Sequence, residues 1–294
     1  MSAGSTAGLF PGQGSQTSDL RGRVQRALPE LSERCIELVG EDPFARVADS
    51  TRFAQPAIFC ASVAAWMELR EHLRPVALAG HSLGELSALV AAEALDPSTG
   101  LELAVRRGEL MAAAETGEAE GMLAVLGASE EQVTVLAEEN GVVLANDNAP
   151  GQVVLAGLLS RLRAARATAR ELGVRAILLD VAGAFHSPSM AGAVGPFRRA
   201  LDSVEIRPSA IPVISGASAQ PFGDVRGELA AAITSPVRWR ETMLALARLG
   251  ADRFVDVGPG QVLARLVRRN LPDATLIEPG AESSSSVLES SGVA

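Results

Sequence analysis

Apolar residues along this chain follow two rhythms. Short unbroken runs, Ala7-Gly8-Leu9-Phe10 before Pro11 and Val76-Ala77-Leu78-Ala79 before Gly80, have the length of buried strands and stop at glycine or proline. Helical spacing fills most of the rest up to about residue 95, including Leu86–Leu95 directly behind the second run, and a further helix covers about 98–114. From Gly121 the rhythm changes. Strand Met122–Leu126, helix 130–139, strands Val142–Asn146 and Gln152–Ala156, helix 159–172 and strand Arg175–Val181 follow in order. That β-α-β-β-α-β succession predicts a ferredoxin-like subdomain at 118–185, inserted in a larger α/β domain formed by 1–117 and 186–280. The serine-rich stretch 281–294 offers nothing to pack and is expected to be disordered.

Composition narrows the chemistry. The chain of 294 residues holds no lysine, so its 26 cationic side chains are all arginine. Lysine Schiff bases and a P-loop lysine are thereby excluded. Cys35 and Cys60 lie in helical segments and read as buried thiols, and no histidine has a second ligand at metal spacing, so neither a metal nor a cofactor is expected. A net charge of −9 argues against nucleic-acid binding. With no apolar stretch long enough to span a membrane and no secretory signal at Met1–Thr6, a cytoplasmic, membrane-free monomer is expected.

Gly80-His81-Ser82-Leu83-Gly84 stands between a strand pattern and a helix pattern, the sequence form of a nucleophile elbow. The large domain is accordingly expected to be an α/β-hydrolase-like parallel sheet. A serine hydroxyl needs a base, and three histidines are available. His81 adjoins the serine and points elsewhere, and His72 sits in a polar stretch, which leaves His186. The Leu83 N–H is one candidate oxyanion donor; Gln13, in the turn after the first strand, is a second if the two strands are neighbours. Arg106 or Arg107 can supply a fixed charge that selects an acyl group with a free carboxylate.

Phe10-Pro11-Gly12-Gln13-Gly14-Ser15-Gln16, the Ser82 pentapeptide with Glu85, Arg107-Gly108 followed by Met111, Asn146 to Gly157, Phe185-His186-Ser187, Pro236-Val237-Arg238-Trp239 and Val257-Gly258-Pro259-Gly260-Gln261-Val262-Leu263 resemble, in order, the malonyl-CoA:acyl carrier protein transacylases over about residues 7–270. The resemblance implies ping-pong transfer: Ser82 accepts malonyl from malonyl-CoA and yields it to the phosphopantetheine thiol of an acyl carrier protein, for fatty acid biosynthesis. It makes His186 base and then acid, Arg107 the carboxylate partner, and the Gln13 and Leu83 N–H groups the oxyanion hole. Gln55 and Met111 match substrate-binding positions. It also implies that a backbone carbonyl orients the histidine; the family usually has glutamine there, and this chain has Ala232. Phe185 resembles the malonyl-selective form of its motif, because the ring crowds an α-methyl branch. The connection at about 40–54 is shorter than in the family.

Other readings remain open on sequence: a free-standing acyltransferase of a polyketide pathway or malonate-processing complex, a serine hydrolase, and a catalytically silent carrier-binding module. A hydrolase of the α/β type normally has its histidine near the C-terminus, whereas about 100 residues follow His186 here. Arg161 to Arg170, Arg198-Arg199 and Arg265 to Arg269 are candidate faces for an acidic carrier.

Overall fold

The computed structural model describes residues 4–114, 119–181 and 183–278; the expected tail at 281–294 and the junction at 115–118 lie outside them. Among the described residues nine strands run in chain order: β1 (Ser5–Phe10), β2 (Ala77–Gly80), β3 (Glu120–Leu126), β4 (Val143–Ala149), β5 (Gln152–Leu158), β6 (Arg175–Leu178), β7 (Val213–Ile214), β8 (Ala251–Asp256) and β9 (Thr275–Ile277).

Five of them form a parallel sheet in the order β7-β2-β1-β8-β9. Its central strands are short, apolar and almost wholly buried, as expected of strands covered by helices on both faces. Phe10 pairs with Gly80, so β1 and β2 end together, and the turns carrying Gln13 and Ser82 leave the sheet side by side. The helix behind β2 runs Gly84–Ala91 rather than from Leu86 to Leu95, and every residue in it is buried. It stops early because Glu93 is held at φ 61°, a conformation that cannot continue a right-handed helix. Pro97–Ala113 is started by the Asp96 carboxylate, which accepts the Ser98 and Thr99 N–H groups, with Pro97 in the first turn. It packs along the long helix Thr51–Leu69. Cys35 and Cys60 are buried free thiols, and burial raises the pKa of Cys60 well above that of an ordinary thiol.

The other four strands form an antiparallel sheet in the order β4-β5-β3-β6, the ferredoxin-like arrangement. Alternation along each strand gives the sheet two different faces. Leu123, Val125 and Leu155 pack on Leu136, Leu162 and Ala165 of the helices Glu130–Asn140 and Leu159–Glu171, while Met122, Ala145, Val154 and Ala156 pack toward Ala184 on the opposite side. Arg161, Arg163, Arg166 and Arg170 therefore ride on the outer layer, behind the sheet. A two-sided seam joins this sheet to the rest: the Val237 N–H donates to the Ala145 carbonyl at 2.8 Å and the Asp147 N–H to the Val237 carbonyl at 2.9 Å. Among the described residues no helix is long and apolar enough to cross a membrane, and no group of three or more His, Cys, Asp or Glu side chains is placed to hold a metal.

Candidate active site

The elbow is built by backbone contact. Ser82 has φ 55°, in the left-handed region that costs a β-carbon-bearing residue of order 1–3 kcal/mol. The surrounding glycines enforce it: a Cβ on Gly80 would lie 2.0 Å from the Glu85 nitrogen, and one on Gly84 would lie 2.0 Å from the Phe10 carbonyl oxygen. The turn is also tied to β1, since the His81 N–H donates to the Phe10 carbonyl at 2.9 Å. Ser82 Oγ is left projecting at the carboxyl edge of the parallel sheet.

Two charged or titratable side chains converge on that oxygen. His186 Nε2 lies 2.7 Å from Ser82 Oγ, and Arg107 Nη2 donates to the same oxygen at 3.1 Å. The other imidazole nitrogen, Nδ1, lies 2.9 Å from the Ala232 carbonyl and 3.1 Å from the Ser235 carbonyl. Carbonyls only accept, so Nδ1 carries the hydrogen and Nε2 of the neutral ring is the acceptor for the serine hydroxyl. Burial, reinforced by the Arg107 charge, lowers the His186 pKa to about 3. The ring is thus an unprotonated acceptor at neutral pH. Arg107 is 4% exposed, and burial brings its pKa down to about 10, with Glu85 opposing the shift, so it remains a cation. No carboxylate forms an ion pair with it among the described residues; its other neighbour is the Gln55 Oε1 acceptor at 2.9 Å. Arg106, by contrast, is exposed and pairs with Glu109.

The residues singled out from sequence line one cleft of about 480 Å³, with Gln13, Gln55, Ser82, Leu83, Arg107, Met111, Phe185 and His186 on its wall. Among the described residues the Leu83 and Gln13 N–H groups have no acceptor, so both remain available to an incoming oxygen. Met111 Sδ is 3.3 Å from Gln55 Nε2. The antiparallel sheet supplies the facing wall through Met122, Asn146, Asn148 and Val154. His81 does point away from the reacting centre: its Nε2 is 2.9 Å from Asn148 Oδ1, its ring lies 5.3 Å from that of Trp239, and burial lowers its pKa.

Asn148 and Glu85 stood only inside longer motifs, without a role, and two neighbours escaped the reading of the sequence altogether. Thr51 lay in the connection at about 40–54, which does not mark it. The Ser235 carbonyl comes from a distant segment and carries no local signal. Glu85 did leave one, a lone acid in an otherwise apolar helix; it accepts the Gly216 N–H at 2.7 Å, and burial raises its pKa to about 7.

Residues 29–285 match the family model for the acyl transferase domain. The chain is 37% identical over 283 residues to the polyketide biosynthesis malonyl CoA-acyl carrier protein transacylase PksC of Bacillus subtilis, covering 90% of this chain and 97% of that one. It is 39% identical over 279 residues to the polyketide biosynthesis protein ThaF of Burkholderia thailandensis, covering 90% of this chain but spanning only 24% of ThaF. Among solved structures, FabD from Acinetobacter baumannii superposes with a TM-score of 0.87 at 33% identity, covering 96% of both chains. A malonyl-transacylase in complex with its type II polyketide acyl carrier protein superposes with a TM-score of 0.86 at 29% identity, covering 93% of this chain and 95% of that one. The family match and similarity of sequence and fold along nearly the whole length lead to one assignment: this chain is an acyltransferase belonging to the family of malonyl-CoA–acyl carrier protein transacylases.

Proposed function

We propose that this protein moves a malonyl group from coenzyme A through an ester on Ser82 to the phosphopantetheine thiol of an acyl carrier protein. The observation that carries the reading is the convergence of a histidine acceptor and a buried guanidinium on one serine oxygen, at 2.7 and 3.1 Å. Ser82 Oγ attacks the thioester carbonyl while His186 Nε2 takes its proton. The Leu83 and Gln13 N–H groups receive the oxyanion, and Arg107, aligned by Gln55, binds the distal carboxylate. The thiolate of coenzyme A leaves with the proton from His186. In the second half the carrier thiol gives its proton to His186 and attacks the ester, and Ser82 recovers its hydrogen. The Ala232 carbonyl performs the orienting role without any side chain, which is why alanine is tolerated there. Phe185 restricts the pocket to an unbranched acyl group, so methylmalonyl-CoA competes poorly with malonyl-CoA. The division of the chain into 1–117 with 186–280 around an inserted 118–185 belongs to the same proposal, supported by an antiparallel sheet drawn wholly from 120–178.

Intact mass after brief mixing with malonyl-CoA tests it. The wild type should gain one malonyl group that the Ser82→Ala variant does not, and a phosphopantetheinylated carrier should discharge it. An adduct lost equally fast to water and to carrier would instead indicate a serine hydrolase. For the pathway we propose fatty acid biosynthesis; polyketide assembly is the second reading, favoured by the likeness to PksC and ThaF. Competition between a fatty acid carrier and a polyketide carrier for the malonyl enzyme separates them.

A further inference from the structure

A file of polar side chains runs from Arg107 away from Ser82, and its hydrogen-bond directions are dictated from one end. A guanidinium only donates, so the Gln55 amide must turn its Oε1 toward Arg107 Nη1, at 2.9 Å. That leaves Gln55 Nε2 to donate, and it meets Thr51 Oγ1 at 3.0 Å. With its oxygen accepting, the Thr51 hydroxyl spends its single hydrogen on Gln13 Oε1, at 2.8 Å. Gln13 is exposed in a turn whose Gly12 and Ser15 are buried, while Thr51 is 6% exposed at the start of a helix whose Ser50 cap fixes it. Gln13 lines the cleft that Arg107 also lines.

We propose that Thr51 is a positioning residue that holds the Gln13 turn, and so its backbone N–H, in register with Arg107, matching the distance between the two ends of a dicarboxylic acyl group. The inference rests on the reading of Gln13 N–H as an oxyanion donor. Thr51 touches no substrate. It acts through Gln13, because it alone links that turn to the buried arginine among the hydrogen bonds of the described residues. The other bonds within the turn are local: Ser15 Oγ donates to the Gly12 carbonyl and the Gly14 N–H to Gln16 Oε1. They shape the turn; Gly12 packs close to the His81 carbonyl and Gly260 to the Ser15 carbonyl, and Thr51 adds the hydrogen-bonded tie to the arginine. Valine at this position keeps the shape and removes both bonds; serine restores both.

The test compares wild type with Thr51→Val, Thr51→Ser, Gln13→Ala and the Thr51→Val/Gln13→Ala pair, reading the rate of Ser82 malonylation at saturating malonyl-CoA, the half-saturating concentration, and amide hydrogen exchange over residues 9–16. Full loss of an oxyanion donor costs about a hundred- to a thousandfold, so a misplaced one should slow acylation by about tenfold or more in Thr51→Val and in Gln13→Ala. Half-saturation should stay within about threefold, Thr51→Ser should recover the rate, and the double variant should be no slower than Gln13→Ala alone. Exchange at the turn should rise in Thr51→Val and return in Thr51→Ser. Additive effects, a normal rate in Gln13→Ala, or a change confined to half-saturation would overturn the proposal. Unaltered exchange in Thr51→Val overturns it even where no malonyl enzyme forms, whereas a wild type that takes up no malonyl group refutes the proposed function instead.

Discussion

The two walls of the cleft are made on different principles. The wall from the parallel sheet holds its reacting groups by force: Ser82 and His186 both have positive φ, at 55° and 58°, and Arg107 and His186 are each 4% exposed. The wall from the antiparallel sheet carries amides and apolar side chains on strands without a positive-φ residue other than glycine, with Asp180 just beyond them, and is pinned by the seam at Val237. On the proposed mechanism one wall carries the chemistry and the other closes the space around it. A wall that carries charge must be rigid, because a buried ion tolerates no slack in its partners, whereas an amide-lined wall can be altered with local consequences only.

Removing His186 should do the most to break that contrast. His186→Ala is expected to slow acylation of Ser82 by about a thousandfold or more while leaving the fold intact, as read by stopped-flow release of coenzyme A. With the native ring at a pKa of about 3, the wild-type rate should not fall with loss of the base between pH 7 and pH 5, as it would for an ordinary histidine. Arg107→Ala comes next: malonyl transfer should drop by about a hundredfold or more, with acetyl transfer spared or raised. An equal loss for both acyl groups would remove its role as carboxylate partner. On the facing wall, Asn148→Ala should change kcat/KM only about threefold, through the freed His81 ring. If it matched Arg107→Ala, the division of labour between the walls would be wrong.

A further expected effect is on stability rather than rate. Glu85 has a folded pKa of about 7 against 4.5 for the free side chain, so the native state keeps a proton that the unfolded chain releases. Its stabilisation is complete below pH 4.5 and is lost as pH rises through 7. Glu85→Gln keeps an acceptor for the Gly216 N–H and removes the charge, and should abolish a loss on the order of 3 kcal/mol across that window, measured by denaturant melts at pH 5 and pH 8. His186 has the opposite sign: its folded pKa lies below 6.5, so its contribution is lost as pH falls from 6.5 toward 3.

Much of this was legible in the chain because it is written locally. The elbow is five consecutive residues, and the alternating order of strands and helices after Gly121 determines the second sheet without knowledge of its partners. Arg107 could not be told from Arg106 by spacing, since neighbours on a helix differ only in which face is buried; the structure separates them by packing one against Gln55 and leaving the other beside Glu109. The carbonyls of Ala232 and Ser235, the Val237 seam and the Thr51 hydroxyl belong to contacts between residues 38 to 92 apart, where side-chain type says nothing about direction. The two-residue strand β7 is too short to carry a period of any kind.

The glycines around Ser82 bear on how this protein can change. Their contacts are with backbone, so Gly80 and Gly84 admit no larger residue without displacing β1 or the elbow helix, while the serine hydroxyl bonds only the side chains of His186 and Arg107. The substitution that ends the chemistry is therefore one of the mildest for the architecture. If the proposed function holds, a single Ser82→Ala replacement should yield a folded decoy that engages the carrier and leaves it empty, so that loss of activity and gain of an inhibitor lie one codon apart.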